Sequence, residues 1–247
     1  MCGIAGFCLS ADEHINARKV SMALLKQIKS RGTDATGAAW VTPAVKDRGT
    51  KATIAVSKAP VPATLFDPYI AKMPAKARRV ILHTRYATQG SPLNNLNNHP
   101  IVSGKIVGVH NGHLSNDDDV FSYFDEVRKG QVDSEAAFAL LNRTTFHPTQ
   151  VLDSLEGRAA LAWLDSRDKR DLHLARVSGS PLAIGGTAKG SLFFASTLPL
   201  LAAACAEAKV QLAWIEELDE GTYLRIRNGE IAEFESIGES KKTLVAV

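Results

Sequence analysis

Met1-Cys2-Gly3-Ile4-Ala5-Gly6-Phe7 opens the chain, and its second residue carries the argument. Residues 2–8 form a short apolar run that reads as a strand starting at the very N-terminus, where pairing in a sheet ties down an otherwise frayed end. There is no basic segment before it, and the run is too short for a signal sequence. Myristoylation needs glycine directly after the initiator, a place held here by Cys2. Once Met1 is removed, Cys2 bears a thiol and a free α-amine on one residue. An α-amine has a reference pKa of about 7.7–8.0, so near neutrality it can take the thiol proton without help from histidine. The bland alternative is a small buried hydrophobe in an edge strand, and from these seven residues alone it is the commoner case.

Working outward, Val20, Ala23, Leu24 and Ile28 recur at helical spacing over 17–29, with Gly32 just beyond. Apolar stretches at 36–41, 52–56, 79–83 and 106–109 read as strands. Helices are expected at 134–143 and at about 148–155, where Pro148 suits a first turn. Strand-like runs return at 159–164, 171–176, 182–185 and 191–195, followed by an Ala/Leu-rich helix from Leu198 to Ala208. Strands at 212–215, 222–227 and 230–234 close the chain, the last two joined by an Asn228-Gly229 hairpin signal. Many strands with clustered helices predict an α+β sandwich with helix layers outside paired sheets.

Composition narrows the class. The 247 residues fit one large domain or two small ones, with 45% hydrophobic and 22% charged residues, as in ordinary globular chains. A net charge of +3 without a long Lys/Arg block gives no support for nucleic acid as a partner. No apolar run approaches the ~20 residues of a membrane span. Cys2, Cys8 and Cys205 are too few and too scattered for a disulfide framework, so a cytoplasmic location is expected.

Further motifs follow in a fixed order. Arg31-Gly32-Thr33-Asp34-Ala35-Thr36-Gly37 comes after the first helix, and His83-Thr84-Arg85-Tyr86-Ala87-Thr88-Gln89-Gly90 ends a strand. Then come Asn97-Asn98-His99-Pro100, His110-Asn111-Gly112 and Asp133-Ser134-Glu135, with Arg176 to Leu182 and Phe194-Ala195-Ser196-Thr197 later. Each motif alone is weak to moderate. The ordered series resembles the class II glutamine amidotransferases, as found in the glutaminase domains of glucosamine-6-phosphate synthase and amidophosphoribosyltransferase, and the resemblance covers nearly the whole chain. It implies the N-terminal-nucleophile hydrolase fold, a four-layer αββα sandwich, as one domain over 1–237 with a tail at 238–247.

The resemblance also implies roles. Cys2 would attack the side-chain amide of L-glutamine, and the Asn111 side chain and Gly112 N–H would hold the oxyanion. Arg85, with forked donors, would take glutamine's α-carboxylate, helped by Thr88, while Asp133 would accept from its α-ammonium. As isolated residues these have plainer readings: Arg85 in a salt bridge, Thr88 and Asn111-Gly112 in turns, and Asp133 as a helix N-cap, a role that leaves room for both. Arg31 and Asp34 would brace the N-terminal strand, with Gly32 and Gly37 serving backbone geometry. Tyr86 and Gln89 stand where the synthase commonly has Trp and His, so Gln89 is expected either to replace a polar wall residue or to alter substrate affinity.

No metal or organic cofactor is required by this scheme. His99, His110 and His113 lack recognised ligand spacing, and Asp117, Asp118 and Asp119 read as a solvated loop. The acceptor of the ammonia is not legible. The chain ends where a synthase or transferase domain would begin, which raises a partner subunit in trans. The resemblance is thinnest at 43–75 and 113–131, where acceptor contacts are expected. A competing reading is a non-catalytic module that binds glutamine or a partner protein.

Overall fold

A computed structural model describes residues 1–42, 51–143 and 145–238. The expected tail therefore lies, past Gly238, outside the described residues, as does part of the 43–75 segment.

The chain forms two sheets between two helical layers. In order, the elements are β1 (Gly3–Cys8), α1 (Ala17–Ile28), β2 (Ala35–Thr42), β3 (Thr53–Ala59), α2 (Asp67–Ile70), β4 (Arg79–Arg85), β5 (Ile101–Ser103), β6 (Ile106–Leu114), α3 (Asp117–Tyr123), α4 (Ser134–Asn142), α5 (Pro148–Asp153), β7 (Gly157–Asp165), β8 (Asp171–Ser178), β9 (Ala183–Gly186), β10 (Leu192–Ala195), α6 (Leu198–Ala208), β11 (Trp214–Glu217), β12 (Thr222–Arg227) and β13 (Glu230–Ser236). One sheet has seven strands in the order β11-β9-β10-β1-β4-β2-β3, and the other has six in the order β13-β12-β8-β7-β6-β5. The pairings are antiparallel, as in β1 against β10 and β4, and β6 against β5 and β7.

Three apolar cores make four layers. Alternation along β1 explains the first two: Ala5 and Phe7 pack with Leu24, Ile28 and Leu201 of the helices, whereas Ile4 and Cys8 pack between the sheets with Val109, Ala160 and Leu174. The third lies where Val120, Phe138, Leu140 and Val151 of α3–α5 cover Leu161 and Trp163 of β7. All six residues of β1 are buried, which is why the strand reads as a continuous apolar run rather than an alternating one.

β1 is therefore a central strand, not an edge. Asn16 caps α1 by accepting from the Arg18 and Lys19 amides at 3.1 and 3.2 Å. Asn228 and Gly229 both take positive φ, 54° and 89°, as the expected hairpin between β12 and β13 requires.

The 113–119 segment departs from expectation. β6 runs on through the polar residues His110 to His113 as far as Leu114, because pairing with β7 continues to Gly157. The Asp run is not a loop. Asp117, Asp118 and Asp119 form the first turn of α3, where acidic side chains complement the free amides, and Asp117 is buried against Arg128 at 2.8 Å. The sequence reading also missed α2 and β5, both short.

Candidate active site

Cys2 sits just ahead of β1, at the end of the strand that faces the ends of β4 and β6. Its anchor is dense. Ile4 N donates to Ser196 Oγ at 2.9 Å, and Ser196 N donates to Ile4 O at 2.9 Å, which pins the first residues after the cysteine. Arg31 Nε donates to the Cys2 carbonyl at 2.8 Å. Asp34 accepts from Ala87 N at 2.7 Å, and its own amide donates to Arg85 O at 3.0 Å. Arg31 thus braces the Cys2 backbone, while Asp34 braces the chain that leaves β4.

The Cys2 thiol donates to Tyr86 O at 3.6 Å. Burial pushes its pKa up, opposed by the Tyr86 backbone, the amino terminus and Arg85, with Asp133 adding to the rise. A buried thiol of this kind stays neutral until a base removes its proton. Cys2 N is here an amide bonded to Met1, which is 65% exposed and so open to removal.

Around the sulfur lies a narrow cleft of about 20 Å³ lined by Cys2, Arg85, Tyr86, Thr88, Gln89 and Gly112, with His99, His110, Val132, Asp133 and Ser134. The structure thus gathers most of the expected residues in one place. Thr88, Gln89 and Tyr86 are exposed at its rim. A larger hollow of about 560 Å³ opens beyond the other end of β1, by Leu9, Asn16 and Arg78, away from every expected site residue. Size does not choose the site here; converging chemistry does.

Asn111 is 1% exposed, and its Nδ2 has no hydrogen-bond partner among the described residues. A buried amide donor without a partner costs about 1–3 kcal/mol, so its retention beside the cleft calls for a reason. The next residue, Gly112, has φ of +153°, and a Cβ there would fall 1.8 Å from Arg158 O. Only glycine lets β6 carry this bend against β7. Asn111-Gly112 is thus part of a strand, not a turn.

Asp133 caps α4, accepting from Ser134 N at 2.8 Å through Oδ1, and it also accepts from Leu114 N at 2.6 Å through Oδ2. His113 Nδ1 lies 3.5 Å from the same Oδ2. Gln89 Oε1 accepts from Asp133 N at 3.3 Å, which ties the β4 loop to the start of α4.

Arg85 is 3% exposed. Its Nη1 donates to Asn98 Oδ1 at 2.7 Å, and its Nη2 donates to Gly90 O at 2.9 Å and to Gln89 O. Three of the five guanidinium hydrogens are thereby committed within the protein.

Sequence reasoning singled out no role for the histidines beneath the cleft. His83 Nε2 lies 3.1 Å from His110 O, and the His83 and His99 rings stack at 4.2 Å. Among the described residues, His83 Nδ1 and both His99 ring nitrogens are buried without partners. Burial holds His83 down to about 3 and His99 well below its ordinary value, so both stay neutral. His110 Nδ1 meets Ser134 Oγ at 2.8 Å. Their presence in the His83 and Asn97-to-Pro100 motifs was the available signal. For a metal, the donors that converge among the described residues are His147, Glu233 and Glu235, within 4.8 Å of one another. Arg225 already donates to Glu233, and His147 ring nitrogens lie 3.4 Å from an oxygen of each carboxylate, so the three side chains already contact one another. Among the described residues no helix is long and apolar enough to cross a membrane.

Residues 83–203 match a family described as the glutamine amidotransferase domain. The glutamine–fructose-6-phosphate aminotransferase (isomerizing) of Pseudomonas putida is 31% identical over 94% of this chain and 35% of its own length. Its namesake from Caulobacter vibrioides is 31% identical over 79% of this chain and 32% of that protein. The glutamine phosphoribosylpyrophosphate amidotransferase of B. subtilis, solved with ADP and GMP, superposes with a TM-score of 0.76 at 18% identity, covering 97% of this chain and 50% of that one. The last match establishes a shared fold, the α+β sandwich of the N-terminal-nucleophile type. The chain spans about a third of the length of these aminotransferases and half of that amidotransferase chain.

Proposed function

Because this chain carries a glutamine amidotransferase domain, we propose that it hydrolyses the side-chain amide of L-glutamine through a thioester on Cys2. Removal of Met1 converts the Cys2 amide nitrogen into an amine. That amine takes the thiol proton, and the sulfur attacks the carboxamide carbon. Asn111 Nδ2 and Gly112 N–H receive the oxyanion. Collapse breaks the C–N bond, with the ammonium of Cys2 giving its proton to the departing ammonia. The same amine then draws a proton from water, which attacks the thioester and releases glutamate and the free thiol. No metal or organic cofactor enters any step.

One observation carries the reading: the buried, unpartnered Nδ2 of Asn111, next to a glycine that lines the cleft of Cys2. A donor held dry and unsatisfied is what a developing oxyanion needs, since it reorganises nothing when charge appears. Arg85 and Asp133 supply opposite charges for a free amino acid, with Thr88 at the rim beside them; a peptide-bound glutamine would offer neither terminus. Tyr86 and Gln89 form the outer wall. The ammonia passes to a synthase or transferase unit, in the same polypeptide or in trans, in keeping with what the names of the relatives describe, and the setting is cytoplasmic.

The test is ammonia and glutamate release by protein whose Met1 removal is verified by mass spectrometry. Release from the native sequence and its loss in Cys2→Ala support the scheme. Hydrolysis that survives in Cys2→Ala, or in protein with Met1 retained, would overturn it.

A further inference from the structure

Lys58 lies on β3, the edge strand of the seven-stranded sheet. A lysine there ordinarily keeps an edge from pairing with another chain and points to water. This one turns inward. Its ammonium donates to Asn98 O at 2.6 Å and to Pro100 O at 3.0 Å, gripping the segment on both sides of His99.

Asn98 is the link to the site. It is fully buried, and each of its polar side-chain atoms is occupied. Its Nδ2 donates to Pro92 O at 2.7 Å and Asn95 Oδ1 at 2.9 Å, and its Oδ1 accepts from Arg85 Nη1 at 2.7 Å. The strand partner of Lys58 is Gly37, where a Cβ would fall 2.0 Å from His99 O. Two residues paired across β2 and β3 thus hold one loop, one by close backbone approach and the other by charge.

We propose that Lys58 is a positioning residue for the α-carboxylate of glutamine, fixing through the Asn98 and Pro100 carbonyls the segment whose Asn98 side chain sets the guanidinium of Arg85. The inference rests on the glutaminase reading and on Arg85 as the carboxylate cation. The charged groups facing Lys58 are Arg85 and, with opposite sign, Glu135, while the nearby His83 and His99 are neutral. Burial first, then Arg85, brings the Lys58 ammonium down to about 8, as expected for a cation kept near a second cation by geometry.

The experiment measures kcat and KM for glutamine and for its α-amide, using the native chain, Lys58→Met and Lys58→Arg, each with melting temperature recorded. Lys58→Met is expected to raise KM for glutamine about tenfold, with kcat within about threefold, because a binding contact is loosened rather than the chemistry. The α-amide, lacking the carboxylate, should be affected much less, and Lys58→Arg should recover most of the glutamine KM. Equal losses on both substrates, a fall confined to kcat, or no change in KM at a preserved melting temperature would overturn the role. A native chain with no Cys2-dependent hydrolysis would instead remove the underlying reading.

Discussion

Two polar centres, Arg85 in the lining of the cleft and Asn111 next to its Gly112, are built in opposite ways. On β6, Asn111 is buried, and its Nδ2 has no partner among the described residues. At the end of β4, Arg85 is equally buried, yet three of its hydrogens already serve Asn98, Gln89 and Gly90. On the roles proposed for them, the difference separates chemistry from recognition. An oxyanion donor gains by being preorganised and dry. A recognition cation that is already satisfied must exchange partners when a substrate arrives, so binding and loop order are coupled there. The cleft of about 20 Å³ makes the same point, because that volume suits about one water molecule rather than an amino acid. On the proposed reading, glutamine would displace contacts such as that of Gln89 with Asp133.

The contrast can be broken most sharply at Asn111. Asn111→Ala removes a donor that bonds to nothing in the fold, so kcat should fall about 100- to 1000-fold, roughly 3–4 kcal/mol, while the melting temperature stays level or rises. Steady-state kinetics with a thermal melt check this, and a matching drop in stability would show that Asn111 is structural. The support under Asn111 should fail in acid. An unfolded histidine protonates near pH 6.5, whereas His83 resists until about 3, so each unit of acidification between those values favours the unfolded chain by about 1.4 kcal/mol. Stability from this group is complete above pH 6.5 and lost as pH falls. On the order of 3 kcal/mol should disappear by about pH 4, with His99 pulling the same way. Urea midpoints at the two pH values should converge in His83→Gln, and an undiminished loss in that variant would assign the acid sensitivity elsewhere. Arg85→Lys probes the other centre. It replaces a forked cation that bonds three loop groups with a point charge, at a cost of about 2 kcal/mol. Here KM and melting temperature should both suffer, and a change in kcat alone would erase the distinction between the centres.

How far the sequence reached depended on whether the signal was local. The strand at Gly3–Cys8, the helix at Ala17–Ile28 and the Asn228-Gly229 hairpin follow from short-range rules, and they lie where those rules put them. β6 was cut short at 109 because His110 to His113 break the apolar pattern, while the ladder to β7 that carries them is a distant partner's doing. The aspartates of α3 looked like a loop because charge alone does not say whether a helix begins beneath it.

By itself the chain determined which chemical groups are available, in what order, and that its second residue can join a thiol to an amine. Only the tertiary structure decided that this residue stands at the tip of a central strand, that Asn111 is buried without a partner for its Nδ2 among the described residues, and that Lys58 reaches a loop forty residues away. The reason is physical. Propensity and pattern are properties of neighbours along the chain, whereas burial, and with it the cost of an unpaired donor or a cramped cation, exists only once distant segments have closed over them.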